Sequence, residues 1–194
     1  MTLTELSAPQ AVQGMKCISD APEAYVIYNG ANRSECYILD NHQEKEWDSD
    51  AAASGLLITH VDYSDQAWAD NVVNNDANRL RCTVMPADGL RTHSLAGDLY
   101  PNASGNNALT DTSTPAAVLN TFNTKRKKLM GKPITNIVQA DGLISFDFMG
   151  GLSTAIHSLT TPSPHPAVVY DLSGRRVQRA DKGFYIVDGR KVLK

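Results

Sequence analysis

The hydrophobic positions of this chain fall in short alternating runs, the pattern of strands. Ala24 to Tyr28 is β-branched and aromatic, residues 29–35 supply turn formers, and Cys36 to Asp40 resumes the run. That sequence predicts a hairpin with a longer loop. Gly55 to Tyr63 predicts a second strong strand, and Arg81 to Asp88 a third, ended by Pro86 and Asp88-Gly89. The clearest hairpin runs from Pro133 to Gly150. Asp141-Gly142 marks its turn, and Ile144, Phe146 and Phe148 alternate with Ser145 and Asp147 to give one apolar face and one wet face.

The intervening chain breaks this rhythm. Residues 91–115 are rich in Gly, Asn, Ser, Thr and Pro, which predicts a long surface loop. Residues 116–130 predict a short helix with Leu119, Phe122 and Leu129 on one face. After Phe148, Gly-Gly at 150–151 and three prolines at 162, 164 and 166 bracket a linker over 151–166. Short strands with tight turns follow over 167–194. The reading is all-β: an antiparallel β-sandwich over 1–150 with a small C-terminal β-meander. In the meander, Val168, Tyr170, Val177, Tyr185, Val187 and Val192 are expected to be buried or half-buried. Gly174 and Gly189 would make the turns, and Arg175, Arg176, Arg190 and Lys191 would stay solvated. So short a unit is expected to dock on the sandwich, since it buries too little area to stand alone.

Composition narrows the function. The 194 residues carry a net charge of −3, which disfavours a general nucleic-acid binder. No apolar run is long enough to span a bilayer. The first ten residues lack the basic and apolar regions of a signal peptide. Three cysteines, Cys17, Cys36 and Cys82, are too few for a disulfide framework and read as buried thiols. The sequence contains no HExxH, no GxSxG and no phosphate-binding glycine loop.

One constellation has ligand chemistry. His60 and Asp62 lie two apart on a predicted strand and share a face. Asp65 follows, and the stretch 70–78 brings Asp76 with several amides. His60, Asp62, Asp65 and Asp76 are therefore the candidate metal residues. The ion would be calcium, which takes six to eight oxygens; turn capping is the competing role. The run Lys125 to Lys128 is four consecutive cations and reads as a solvated face. Trp47 and Trp68, flanking the 55–63 strand, read as packing residues, with carbohydrate stacking as the alternative.

Tyr37 to Gln43, Trp47-Asp48, Gly55 to Tyr63, Trp68, Val73 to Asp76, Ala87 to Gly89, Gly97 to Pro101 and Pro133 to Gly150 together resemble a known region. It is the segment just after the catalytic domain in secreted Bacteroidetes zinc metalloproteases related to immune inhibitor A. The family's Glu-Asn-Arg-Gln is Asp40-Asn41-His42-Gln43 here. A family His before Gly-Leu-Leu is absent, and Thr59 replaces a Trp. Residues 168–194 resemble the end of the sorting domain of type IX secretion substrates. The resemblance implies a non-catalytic accessory domain whose partner is the metalloprotease catalytic domain, and a location that is secreted or at the cell surface. It also implies that the zinc-binding helix lies upstream, so that Met1 is an internal start, marks a gene remnant or is the edge of a piece cut from a longer chain. The alternative reading is a stand-alone cell-surface module that binds carbohydrate or protein.

Overall fold

The computed structural model describes residues 1–50, 53–91, 95–101, 105–151, 169–171, 173, 175–177, 184–187 and 190–193. The chain divides into two compact units, Met1–Thr154 and Ala155–Lys194. The first holds β1 (Thr2–Glu5), β2 (Gln10–Met15), β3 (Glu23–Asn29), β4 (Asn32–His42), β5 (Gly55–Asp62), a one-turn helix α1 (Asp65–Ala69), β6 (Cys82–Val84), β7 (Ile134–Ala140) and β8 (Leu143–Phe148). The second holds β9 (Val169–Tyr170), β10 (Arg176–Val177), β11 (Phe184–Val187) and β12 (Arg190–Leu193). The fold is all-β.

Two sheets make the first unit. One runs β1-β3-β4-β5-β6 and the other β2-β8-β7. All pairings are antiparallel except β1 with β3, which run parallel. The chain changes sheets after β1, and Leu6, fully buried, plugs the crossing. Alternation places Ile27, Tyr37, Leu39, Leu56 and Ile58 from the first sheet in one core with Val12, Ile134, Ile144, Phe146 and Phe148 from the second. Tyr25 meets Phe146 edge-on at 6.0 Å between centroids, joining the sheets. Each such fully buried side chain contributes roughly 1.5–3 kcal/mol relative to exposure.

The predicted hairpins form. β3 turns into β4 across Gly30-Ala31, a tighter loop than the sequence implied. β7 and β8 are joined by Asp141-Gly142, both left-handed at φ 52° and 75°, as a type I′ turn requires. The predicted helix over 116–130 does not form. Ala117 and Leu119 are buried while Val118 is 40% exposed, a period of two. Val118 pairs with Leu129 in an antiparallel bridge, and Leu119 N–H donates to the Lys128 carbonyl. This segment is an irregular hairpin, and Phe122, expected on the buried face, is 58% exposed. The strands β1 and β2 and the helix α1 went unread, because their apolar residues are too few to set a period. Of the cysteines, Cys17 and Cys36 are buried and Cys82 is exposed.

In the second unit the order is β10-β9-β11-β12, all antiparallel, so β9 pairs on both sides rather than following a sequential meander. Tyr170 is 38% exposed, Val177 is half-buried, and Arg175 and Arg176 are exposed. Val168, Gly174 and Gly189 lie outside the described residues, as do the side chains of Tyr185, Val187, Arg190, Lys191 and Val192.

Gly55 starts β5 at φ +156°, and a Cβ there would sit 2.7 Å from the Tyr100 carbonyl oxygen. Gly105 is also left-handed, at φ +78°, but nothing lies within 4 Å of the Cβ it would carry. Gly105→Ala is expected to cost only about 1–2 kcal/mol of backbone strain. Gly55→Ala is expected to cost clearly more, because a backbone carbonyl must move. Urea denaturation of both variants checks this, and equal costs would refute the close approach at Gly55.

Candidate functional site

Chemistry concentrates where β4, β5 and the 118–129 hairpin meet. Glu35 and Tyr37 on β4 and His60 and Asp62 on β5 all lie on buried positions. The register pairs Glu35 with Asp62 and Tyr37 with His60. Two carboxylates directly opposite each other repel unless each is neutralised separately. The structure neutralises them separately.

Glu35 is fully buried, and both its oxygens are saturated. Oε1 takes His60 Nε2 at 2.8 Å and the Asn120 backbone N–H. Oε2 takes the Thr121 N–H at 3.1 Å, the Thr121 hydroxyl, and Asn29 Nδ2 at 3.2 Å. Burial pushes this carboxyl up, but the hydrogen bonds from His60, Thr121, Asn120 and Asn29 outweigh it and hold it at about 2. His60 is packed edge-on against the Tyr37 ring at 5.5 Å. The Tyr37 hydroxyl donates to the Val118 carbonyl at 2.6 Å, a further tie to the hairpin.

Asp62 turns to a different set. Arg79 Nε donates to it at 2.7 Å, Asn120 Nδ2 at 3.0 Å, and Arg81 Nη1 lies 3.4 Å away. The carboxylate holds the Arg79 guanidinium above its ordinary value, through that hydrogen bond first. Asn120 links the two halves: its N–H serves Glu35, and its amide serves Asp62 and the Leu80 carbonyl at 2.9 Å.

The four candidate calcium residues are not gathered into one site. His60 and Asp62 share the buried face of β5 as expected, but each is paired within the chain. Asp65 opens α1 and accepts the Tyr63 hydroxyl at 2.8 Å. Asp76 accepts the Asn78 N–H at 2.9 Å, a turn contact. Among the described residues no three His, Cys, Asp or Glu side chains cluster as a metal would need. Trp68 is half-buried and packs on the Tyr63 ring at 5.0 Å; the Trp47 side chain lies outside the described residues. Sequence reasoning missed Glu35 altogether. Its signal was a lone carboxylate opposite His60-Val-Asp62 in the hairpin register, legible only once the register is known.

A second cluster lies further along β4. His42 bridges two carboxylates, with Nε2 2.9 Å from Asp40 and Nδ1 2.9 Å from Asp48. The Asp40 hydrogen bond, ahead of the opposing burial, raises His42 to about 9. Behind it, Asn41 Nδ2 donates to the carbonyls of Met15 and Gly142, both at 2.9 Å, and Gln43 reaches Gln139. This cluster ties the end of β4 to β2, to β7 and to the β7–β8 turn. It explains how Asp40-Asn41-His42-Gln43 works as a structural unit.

No protein-family model, curated protein sequence or solved structure matches the chain.

Glu35 titrates near 4.5 unfolded and about 2 folded. A depressed carboxyl contributes its stability above the unfolded value and loses it as pH falls toward the folded one. The difference corresponds to on the order of 3 kcal/mol, withdrawn between about pH 5 and 2. Glu35→Gln is expected to lower stability at pH 7 by about 3 kcal/mol and to flatten this acid limb, because it leaves buried donors unpaired. Melting temperatures across pH 2–7 test both parts.

His42 has the opposite sign. Its folded value of about 9 lies above the ordinary 6.5, so its contribution is complete below about pH 6.5 and lost as pH rises through 9. His42→Asn is expected to destabilise the protein at pH 6 and to change little at pH 10. Equal losses at the two pH values would show that the clamp does not depend on the imidazolium.

Proposed function

We propose that this chain is a non-catalytic accessory domain of a secreted zinc metalloprotease of the immune inhibitor A type, with the catalytic zinc held by a separate domain. The observation that carries the reading is the fate of the residues that bear the resemblance. Tyr37, Leu39, Asn41, Leu56, Ile58, His60 and Asp62 are all buried, and the polar ones among them are bound to partners within the chain. A recognisable motif spent on framework is what an accessory domain needs, since its task is to hold a shape beside a catalytic neighbour.

The chemistry available agrees. A catalytic acid or base must reach a proton on a substrate. Glu35 is saturated by His60 and by the hairpin above it, His60 Nε2 is taken by Glu35, and Asp62 faces two guanidiniums. The sequence supplies no HExxH to place two zinc-binding imidazoles on one helical face. In this reading the partner is the metalloprotease catalytic domain, and residues 167–194 act as an export or anchoring signal that takes the protein outside the cytoplasm.

Two measurements test it. The purified chain is incubated with casein, with and without zinc, and is titrated with the catalytic domain of such a protease by calorimetry. No cleavage and a saturable association are expected. Chelator-sensitive cleavage by the chain alone would overturn the non-catalytic role, and absence of association would overturn the partner.

A further inference from the structure

We propose that a cleft beside the 118–129 hairpin binds an acidic polysaccharide, a glycan chain bearing carboxylate or sulfate groups. The cleft has a volume of about 300 Å³, and Asp111, Thr112, Lys125 and Lys127 line it over a base that includes Asn123 and Gly131. The proposal rests on this cleft and not on the accessory-domain reading, so either can fail alone.

The charges in the cleft are unused. Among the described residues neither Lys125 nor Lys127 makes an ion pair, although Asp111 lines the same space. Asp111 Oδ1 accepts the Gly131 N–H at 2.8 Å, and no hydrogen bond to Oδ2 is formed among the described residues. Two ammonium groups against one carboxylate leave an excess of positive charge, and Arg126 and Lys128 adjoin it in sequence.

The cations are presented by a stiff support. Asn123, 9% exposed, accepts the N–H groups of Lys125 at 2.8 Å and Lys127 at 3.0 Å and donates to the Leu129 carbonyl at 2.7 Å. Arg126 makes the turn at φ 56°. Glu35 holds the base of the same hairpin through Asn120 and Thr121. A preformed loop loses little conformational freedom on binding, which favours affinity. Phe122, next to Asn123, is 58% exposed with Lys128 Nζ 5.8 Å from its ring centroid. It is not part of the cleft lining, but its exposed ring offers a flat apolar face on which a sugar extending past Asn123 can stack.

The mixed lining selects the ligand class. A bare phosphate surface would meet Asp111 as a like charge. A glycan brings hydroxyl donors for Asp111 and accepting oxygens for Thr112, while its anionic groups fall on Lys125 and Lys127. Lysines act as movable point charges, which suits acidic groups spaced along a flexible chain. Nucleic-acid binding to single strands depends on several stacking aromatics, and among the described residues none lines this cleft.

The full chain is tested by affinity electrophoresis and calorimetry against polygalacturonate, dextran sulfate and neutral dextran. Phosphatidylglycerol vesicles and an oligothymidylate serve as comparison anions. Expected are binding to at least one acidic glycan and none to dextran. The double variant K125A/K127A should weaken glycan binding about tenfold or more, F122A should weaken it several-fold, and K16A, an exposed lysine elsewhere, should leave it unchanged. The proposal is overturned if neither acidic glycan binds, if K125A/K127A binds as the unaltered chain does, or if vesicles or the oligonucleotide bind more tightly than either glycan. Because these lysines are exposed, the variants are expected to melt as the parent does, and a melting curve for each confirms that a lost affinity is not a lost fold.

Discussion

A carboxylate with no access to water organises much of this molecule. Glu35 lies on a sandwich strand but is satisfied largely from outside the sheet, by backbone and side-chain groups of residues 120 and 121. An ionised carboxylate left unpaired in a low-dielectric interior would cost several kcal/mol. The hairpin of 118–129 therefore cannot leave the sheet without exposing or stranding that charge. The constraint acts in both directions: the strand fixes the loop, and the loop keeps the strand's charge soluble in the interior.

The same logic explains how the described residues between β6 and β7 are held with so little regular structure. They are stitched to the sheets at separated points. Tyr100 bridges to Leu56 and Leu109 to Ile134, and the Tyr37 hydroxyl donates to the Val118 carbonyl. Between those points they lend Met85, Ala87, Leu99, Leu109, Ala117, Leu119 and Met130 to the interior. Backbone groups that have no ladder to join find side chains instead, as Asn123 and Asn106 illustrate: Asn106 Nδ2 donates to the carbonyl of Ala87 at 2.6 Å. The abundance of Asn and Thr there reflects this duty as much as a preference for solvent.

Polar residues of the chain thus divide by direction. Glu35, Asn41, His60 and Asp62 on β4 and β5 point inward and are held by partners within the chain, which makes them framework. Those at the tip of the 118–129 hairpin point outward with charges unmatched. The inward group bears the sequence resemblance, and the outward group bears the surface available to a ligand.

The amino-acid sequence by itself determined the class of fold and its best hairpins. Period-two alternation in Ile144, Phe146 and Phe148, and the Asp141-Gly142 turn, are local properties, because strand faces and left-handed turns are set within a few residues. It also placed His60 and Asp62 on one face of β5. What it could not determine was the partner of either one. Glu35 meets His60 from 25 residues away, and Asn120 meets Asp62 from 58 away. The local signal for residues 116–130 favoured a helix, but burial of Ala117 and Leu119 and the claim of Glu35 on the Asn120 and Thr121 amides drew the segment into an extended form. Only the tertiary structure decides such matters, because a buried charge selects whichever donors the fold brings within reach, and sequence distance says nothing about that reach.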